Sequence, residues 1–240
     1  MSKHNELKVL LLDLELTYGI YYAFPSKKPQ YLSAKQIKAH QRCVCAAWKW
    51  LDQVSVQSAT SYNKCDKAIA KALHKVMEEA DIIVAHNGDR FDLLHANNLF
   101  EKHGLGPVTK KKTLDTLKIA RKYFAFAGND LDSLSKRFGG KGKSQKPDWI
   151  LLTENDKKEI ALATKYCKDD VRELERVFIA LRPYVDRLPH APYGNKCPSV
   201  CDACGSKRLI KKGTEWDGYR NYRRVKCQEC GYNHRLGVRS

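Results

Sequence analysis

Residues 7–14, LKVLLLDL, decide the fold class of this 240-residue chain. The apolar run is too short for a helix, so it predicts a buried central strand. Asp13 and Glu15 stand at its end, and two residues apart on a strand their side chains point to one face. Burying carboxylates in an apolar strand is unfavourable unless they bind something, so the pair indicates a metal site. The alternative is that the strand ends early and both acids lie in a surface loop.

Further strands and helices are predicted along the chain. Residues 43–51 and 54–60 are two strands joined by the short turn at Asp52 and Gln53, so they should pair antiparallel. A brief apolar run follows at residues 82–85. The apolar spacing predicts helices at about residues 65–80, 92–102, 116–124, 130–138 and 154–182, the last with a break or bend near Tyr166. This order predicts an α/β fold, a mixed sheet flanked by helices.

The segment 86–92, HNGDRFD, offers a second acid after the run at residues 82–85. Asp92 follows Phe91, an aromatic residue that would anchor the turn in the core and aim the next side chain inward. Asp89 suits the N-cap of the following helix, where a short carboxylate accepts backbone N–H groups. We favour Asp92 as the inward-facing acid and keep Asp89 as the alternative.

The last predicted helix offers a third group. Tyr166 and Asp170 are four residues apart, so on a helix they share a face. Asp170 falls on the apolar side beside Leu174, whereas Asp169 aligns with Glu173 on the solvent side. Helical geometry therefore selects Asp170 as the ligand. Tyr166 has a second interpretation, as an amphipathic core residue with its hydroxyl at the surface.

The order and spacing of these groups resemble the DEDD superfamily of 3′–5′ exonucleases, which contains polymerase proofreading domains. The resemblance covers about residues 7–182 and implies a ribonuclease H-like fold. Asp92 in NGDRFD is similar to the second family motif. Tyr166 and Asp170 match the tyrosine form of the third motif, because Lys165 stands where the histidine form would have His. The first motif is matched by Asp13 and Glu15.

The resemblance implies roles for these residues. The four acids, Asp13, Glu15, Asp92 and Asp170, would hold two Mg²⁺ or Mn²⁺ ions, and Tyr166 would position the attacking water. The product would be a 5′-mononucleotide released from a 3′ end. The residues Leu114, Asp115 and Thr116 also look like a strand-to-helix junction of such proteins, with Asp115 either an N-cap or a catalytic group.

Residues 18–40 form a segment longer than a minimal domain of this kind needs. It carries five aromatic residues and several lysines: Tyr18, Tyr21, Tyr22, Phe24, Tyr31, Lys27, Lys28 and Lys35. Aromatic rings stack on unpaired bases and lysines follow a phosphate backbone, so the segment would grip a strand end. The equal alternative is that these rings pack an elaborated hairpin.

The charge of the chain indicates a nucleic acid partner. Lys and Arg number 44 against 27 Asp and Glu, a formal net charge of +17, which attracts polyanions. The alternative is a basic surface that serves solubility. We favour DNA, with single-stranded or frayed 3′ ends, over RNA, although no motif reads the 2′-hydroxyl. A replication or repair protein is a further expected partner.

Membrane association and secretion are not expected. No run approaches the ~18 apolar residues of a membrane span. Asp13 interrupts the N-terminal apolar run at a point where a secretory signal would continue, so we expect an intracellular, cytoplasmic protein. Four cysteines lie in apolar or helical segments and are expected to be buried thiols: Cys43, Cys45, Cys65 and Cys167.

The C-terminal cysteines predict a zinc ribbon. Two C-x-x-C pairs, each followed by glycine, are separated by 22 residues, and together they supply four thiolates for one structural Zn²⁺. The ligands are Cys201, Cys204, Cys227 and Cys230. A module this small has little core, so metal binding should largely drive its folding. Proline-rich composition places a linker at residues 184–196, between a ribonuclease H-like domain at 1–183 and the ribbon at 197–240.

The ribbon is itself basic and aromatic. From residue 191 onward there are 11 Lys and Arg against 4 Asp and Glu. Six residues are candidates for nucleic-acid contact: Trp216, Tyr219, Arg220, Tyr222, Arg223 and Arg224. Protein binding is the alternative role of the ribbon. For the whole chain, the alternatives to an exonuclease are a catalytically silent adaptor for nucleic acid or a polymerase, and a structure-specific endonuclease or ribonuclease on the same fold.

Overall fold

The computed structural model describes residues 8–26, 31–51, 53–109, 111–142, 144–185, 201, 206–216 and 221–236. The strands are β1 (Val9–Leu16), β2 (Ile20–Tyr21), β3 (Ile37–Ala39), β4 (Cys43–Trp50), β5 (Gln57–Thr60), β6 (Ile82–Ala85), β7 (Lys112–Asp115), β8 (Leu209–Trp216), β9 (Asn221–Cys227) and β10 (Asn233–Leu236). The helices are α1 (Lys67–Glu79), α2 (Asp92–Lys102), α3 (Thr116–Tyr123), α4 (Leu131–Arg137), α5 (Trp149–Glu154) and α6 (Lys157–Leu181). Among these helices, none has the length and apolar character that crossing a membrane requires.

Five strands form the central sheet, in the order β5-β4-β1-β6-β7. β1 lies in the middle, antiparallel to β4 and parallel to β6, and β7 continues parallel to β6. β5 pairs antiparallel with β4, as predicted, but it begins at Gln57 rather than at residue 54. The predicted α/β fold with a mixed sheet is therefore confirmed.

The alternation of side chains along β1 assigns its two faces to two layers of helices. Leu10, Leu12 and Leu14 belong to the apolar cluster that includes α1 and α2. Val9 and Leu11 belong to the cluster that includes α3, α4 and α6. Asp13 and Glu15 continue the second series, so their carboxylates point toward the layer that contains α6.

The helix predicted at residues 154–182 corresponds to α6, and it is preceded by a short helix, α5, that was not predicted. α5 begins after Asp148, whose carboxylate accepts hydrogen bonds from the backbone, and it ends at Asn155 with a left-handed φ of 74°. Asp156 then caps α6, which runs without a break through Tyr166. The predicted break near Tyr166 is wrong. The discontinuity lies at Asn155, where a left-handed residue ends one helix and an aspartate cap begins the next.

Between β1 and β4 the chain forms a small separate sheet. β2 pairs antiparallel with β3, and a 3₁₀ turn at Ala34–Gln36 precedes β3. The pairing is short, and the residues of β2 are exposed. This hairpin is an addition to the central sheet and no part of its core.

The C-terminal strands form a third sheet, antiparallel and in the order β10-β9-β8. Cys201, Cys227 and Tyr232 belong to the same apolar cluster as Leu181 and Val185, so this sheet lies against the end of the main domain. The linker predicted at residues 184–196 lies largely outside the described residues. The domain boundaries at 183 and 197 therefore stay a prediction.

Candidate active site

β1 presents Asp13 and Glu15 on one face. Strand pairing continues through Glu15, so the alternative in which the strand ends before these acids is wrong. One carboxylate oxygen from each of Asp13, Glu15 and Asp170 lies within 4.8 Å of the others. The middle strand of the sheet and the longest described helix thus bring three acids together.

α6 contributes Asp170 and Tyr166, which are both buried, with 2% and 4% of their surface exposed. Their spacing of four residues puts them on one helix face. Asp169 lies on another side of the helix, where it forms an ion pair with Arg172. This difference in burial agrees with the helical periodicity, which placed Asp170 inward and Asp169 outward.

The turn after β6 has a backbone that the sequence HNGDRFD makes possible. Asn87 has a left-handed φ of 61°, which asparagine tolerates better than most residues. A Cβ atom on Gly88 would lie 2.3 Å from Cβ of Ala85, so only glycine fits the tight turn. The turn leads directly into α2, whose first residue is Asp92.

Asp92 faces inward, as the sequence predicted. It is 2% exposed, and its Oδ1 accepts a hydrogen bond from the backbone N–H of Leu14 at 3.0 Å. Asp89 does not cap α2, because its carboxylate pairs with Lys118 and the N-cap position is occupied by Phe91. The predicted capping role of Asp89 is therefore wrong. The bond to Leu14 ties Asp92 to the part of β1 that carries the other acids.

Burial and mutual repulsion disfavour the ionised forms of Asp13 and Asp92 and raise the pKa of each. Burial is the largest cause that raises the pKa of Asp13 well above its usual range, and the charges of Glu15, Asp92 and Asp170 raise this pKa further. Burial also raises the pKa of Asp92 to about 7. Oδ2 of Asp13 is buried without a hydrogen-bond partner. Divalent cations would offset this repulsion, and carboxylate oxygens are the ligands that Mg²⁺ and Mn²⁺ prefer, so the residues fit such ions.

Asp115 connects the Asp92 turn to α3. Its Oδ1 accepts hydrogen bonds from Leu117 N at 3.0 Å and Lys118 N at 3.4 Å, which confirms the predicted N-cap. The same oxygen accepts a bond from Asn87 N at 2.9 Å. The sequence carries no signal for this third bond, because it joins segments that meet only through the pairing of β6 with β7. Asp115 is thus a positioning residue for the turn that ends in Asp92.

A second cluster lies beside the C-terminal sheet. The Sγ atoms of Cys201, Cys227 and Cys230 lie within 4.8 Å of one another, and those of Cys201 and Cys230 are 3.6 Å apart. Cys204, the fourth predicted ligand, lies outside the described residues. Three convergent thiols are a donor set that suits Zn²⁺.

The nucleic-acid candidates of the ribbon are described only in part. Arg223 and Arg224 are exposed on β9. Trp216 and Tyr222 lie in β8 and β9, but their side chains are outside the described part of the chain, as are Tyr219 and Arg220 entirely.

The four scattered cysteines differ in burial. Cys43, Cys45 and Cys167 are buried, as predicted, whereas Cys65 is exposed. The prediction for Cys65 is wrong because the residue precedes α1 in a surface turn, next to Lys64 with a left-handed φ of 62°.

Part of the chain matches a known family. Residues 58–145 match the RNase_T family model, which is described as an exonuclease. The matched range contains Asp92 and Asp115 but neither the acids of β1 nor the residues of α6. No curated protein matches the sequence.

The fold is similar to that of a solved structure, a family B DNA polymerase from the hyperthermophilic archaeon Pyrobaculum calidifontis. The similarity covers 74% of this chain and 25% of the polymerase, with 19% sequence identity and a TM-score of 0.57. This chain thus spans about a quarter of the polymerase's length. At this identity the similarity shows the fold alone, and it confirms the ribonuclease H-like architecture. Together with the family match, it supports a nuclease that acts on nucleic acid.

Proposed function

We propose that this protein is a metal-dependent 3′–5′ exonuclease that releases 5′-mononucleotides from single-stranded or frayed DNA ends. One observation carries the proposal: carboxylate oxygens of Asp13, Glu15 and Asp170, from two different core elements, lie within 4.8 Å of one another. The exonuclease match at residues 58–145 and the ribonuclease H-like fold support it.

The four acids Asp13, Glu15, Asp92 and Asp170 would hold two Mg²⁺ or Mn²⁺ ions. When bound, such ions supply positive charge at the attacking and leaving oxygens of a phosphodiester. The chain itself supplies the spacing of the ligands. β1 keeps Asp13 and Glu15 on one face, and the hydrogen bond from Leu14 N orients Asp92.

We assign Tyr166 the role of orienting the attacking water, as the resemblance to the tyrosine subclass of the DEDD superfamily implies. It lies one helical turn before Asp170, and its ring meets the ring of Trp149 edge-on, with centroids 6.2 Å apart. Water adds to the phosphorus while the bond from phosphorus to the 3′-oxygen of the preceding nucleotide breaks. That oxygen takes up a proton, so the shortened strand keeps a 3′-hydroxyl.

A structural Zn²⁺ on Cys201, Cys204, Cys227 and Cys230 would complete the C-terminal ribbon. Four thiolates leave no open coordination position, so this ion would take no part in the chemistry. The exposed arginines of β9 support a role of the ribbon in holding the nucleic acid.

The setting of the enzyme is part of the proposal. Cys43, Cys45, Cys65 and Cys167 are thiols rather than disulfides, which suits a reducing, cytoplasmic compartment. We place the enzyme beside a replication or repair protein, because removal of single nucleotides from DNA ends serves those processes.

The proposal is tested by degradation of matched single-stranded DNA and RNA labelled at the 5′ end. A ladder that shortens stepwise from the 3′ end with Mg²⁺ or Mn²⁺, and is lost in EDTA and in Asp170→Asn, supports the proposal. The substrate that is degraded faster, DNA or RNA, identifies the preferred sugar. Internal fragments that appear before the terminal products identify an endonuclease. Tight binding without cleavage under any metal identifies an adaptor.

A further inference from the structure

The hairpin between β1 and β4 presents its aromatic rings to solvent. We define the aromatic hairpin as the described residues 18–26 and 31–39. Tyr22 is 64% exposed, Phe24 88% and Tyr31 93%. Tyr18 and Tyr21 are also exposed. Rings that packed an elaborated hairpin would be largely buried, so their exposure disfavours the packing alternative.

The charge around these rings favours a polyanion as their partner. No Asp or Glu occurs between Glu15 and Asp52 in the sequence. Lys35 and Lys38 are exposed on the aromatic hairpin, and Nζ of Lys38 lies 5.8 Å from the centroid of the Tyr22 ring. Exposed rings beside lysines are the combination that binds single strands, because bases stack on the rings while cations contact the phosphates. Lysine is depleted at protein–protein interfaces, so the exposed lysines beside these rings favour a nucleic acid over a protein.

The base of the aromatic hairpin is fixed next to the acidic cluster, which we define as Asp13, Glu15, Asp92 and Asp170. Thr17 N donates to the carbonyl of Arg42 at 2.9 Å, and Arg42 N donates to Oγ1 of Thr17 at 3.0 Å, so the two ends of the insertion are held together. Tyr18 N donates to Oγ1 of Thr153 in α5 at 3.0 Å. Tyr18 stands only three residues after Glu15, so their Cα atoms are at most about 11 Å apart and the aromatic hairpin begins beside the acids.

We propose that the aromatic hairpin is a stacking surface for unpaired bases of the substrate strand, and that it selects single-stranded ends over duplex ends. This inference rests on the proposed function for its choice of partner. Paired bases are already stacked on each other inside a duplex, so only an unpaired strand offers its base faces to the rings of Tyr22, Phe24 and Tyr31.

The test measures binding without cleavage. The full chain carries Asp170→Asn, and the triple variant Tyr22→Leu, Phe24→Leu and Tyr31→Leu is added to it. Leucine keeps the surface apolar but removes the aromatic faces. Tyr62→Leu is the matched control, since this tyrosine is 47% exposed and lies outside the aromatic hairpin. Thermal melting of each variant establishes that it is folded.

Three probes are titrated by fluorescence anisotropy: a single-stranded oligonucleotide, the same strand with abasic sites near its 3′ end, and a blunt duplex. We expect the triple variant to bind the intact single strand at least about tenfold more weakly and to lose the preference over the duplex. The protein with an intact hairpin should bind the abasic strand about as weakly as the triple variant binds the intact strand. The triple variant should bind the abasic strand no more weakly than the protein with an intact hairpin does. Tyr62→Leu should bind like its parent.

Unchanged affinity of a folded triple variant for the intact strand would overturn the inference. So would an equal loss for intact and abasic strands, because contacts that ignore the bases are not stacking. Loss of self-association or of a protein contact with unchanged oligonucleotide affinity would assign the rings to a protein instead. Nucleotide release is assayed separately with native Asp170, so a hairpin that binds bases in a protein that degrades nothing would refute only the proposed function.

Discussion

The acidic cluster and the cysteine cluster are two groups of side chains that could each hold a metal ion, but the chain builds them in different ways. The acids stand on β1, the middle strand of a five-stranded sheet, and on α6, a helix of 25 residues. The described thiols of the cysteine cluster are those of Cys201, Cys227 and Cys230, and Cys227 ends β9, the middle strand of a three-stranded sheet. Few side chains of this C-terminal module are buried among its described residues, such as Val225 and Tyr232.

This difference separates two uses of a metal. The acidic cluster is held by an apolar core on both sides of β1. Its geometry should therefore persist without a cation, even though the acids repel one another. The cysteine cluster lies at one end of the main core, but the C-terminal module that carries it buries few side chains among its described residues, so its geometry should depend on the ion. Removing ligands should therefore abolish chemistry at the first cluster and structure at the second.

The largest expected effect is loss of activity in Asp170→Asn. The substitution removes a buried negative charge that would bind cations, so kcat should fall at least about a hundredfold while the fold persists. Single-turnover cleavage and thermal melting measure the two properties. Asp169→Asn is the control, because Asp169 pairs with Arg172 at the surface, and its rate should stay near that of the parent protein. Activity of Asp170→Asn close to that of Asp169→Asn would contradict the role of the cluster.

Cys227→Ser should release zinc and expose the C-terminal module to protease, while the main sheet stays folded. The loss follows from the small core of that module. Zinc content and limited proteolysis followed by mass spectrometry measure it, with the exposed Cys65→Ser as control. If zinc remains bound, or if the fragment that contains α6 is also digested, the two clusters do not differ as described.

Tyr166→Phe should reduce kcat by about ten- to a hundredfold, because the water loses an orienting hydroxyl while the carboxylates stay in place. The rise in Tm on adding Mg²⁺ should equal that of the parent protein. Tyr62→Phe serves as control for a tyrosine outside the cluster. An unchanged kcat would leave Tyr166 as a packing residue against Trp149.

The smallest expected effect is a pH dependence of stability. The pKa of Asp92 is about 7 in the folded, metal-free protein against 3.8 for an ordinary aspartate. The native state therefore binds more protons between these values, and its stability falls as the pH rises through them. Mg²⁺ offsets the repulsion among the ionised acids, so its effect on Tm should be larger at about pH 8 than at about pH 5.

Scanning fluorimetry of the parent protein and of Asp92→Asn measures this dependence. The stability of Asp92→Asn should fall much less as the pH rises. Asp89→Asn should keep the parent's pH dependence, because Asp89 pairs with Lys118. A pH profile that Asp92→Asn leaves unchanged would contradict the electrostatic description of the acidic cluster.

Periodicity made the acidic cluster predictable from the sequence. The apolar run before Asp13 indicated the strand, and the spacing from Tyr166 to Asp170 separated the inward acid from its neighbour Asp169. Both inferences depend only on which residues share a face of one element. The same reasoning could not find the hydrogen bond from Asn87 N to Asp115, because two parallel strands must first be paired to bring those residues together.

Local alternatives of similar energy were harder to predict. The short helix α5, which ends at the left-handed Asn155, was not predicted, and a break or bend was predicted near Tyr166, where α6 is continuous. Aromatic residues suit a core and a stacking surface equally well, so the exposure of Phe24 and Tyr31 required the structure.

The most direct test of the proposed chemistry is its polarity on two single strands of one DNA sequence. One strand is blocked by phosphorothioate linkages at its 3′ end and the other at its 5′ end, and release of mononucleotides with Mg²⁺ is measured for both. We predict rapid release from the 5′-blocked strand and almost none from the 3′-blocked strand. Equal release from both strands, or faster release from the 3′-blocked strand, would contradict a 3′–5′ exonuclease.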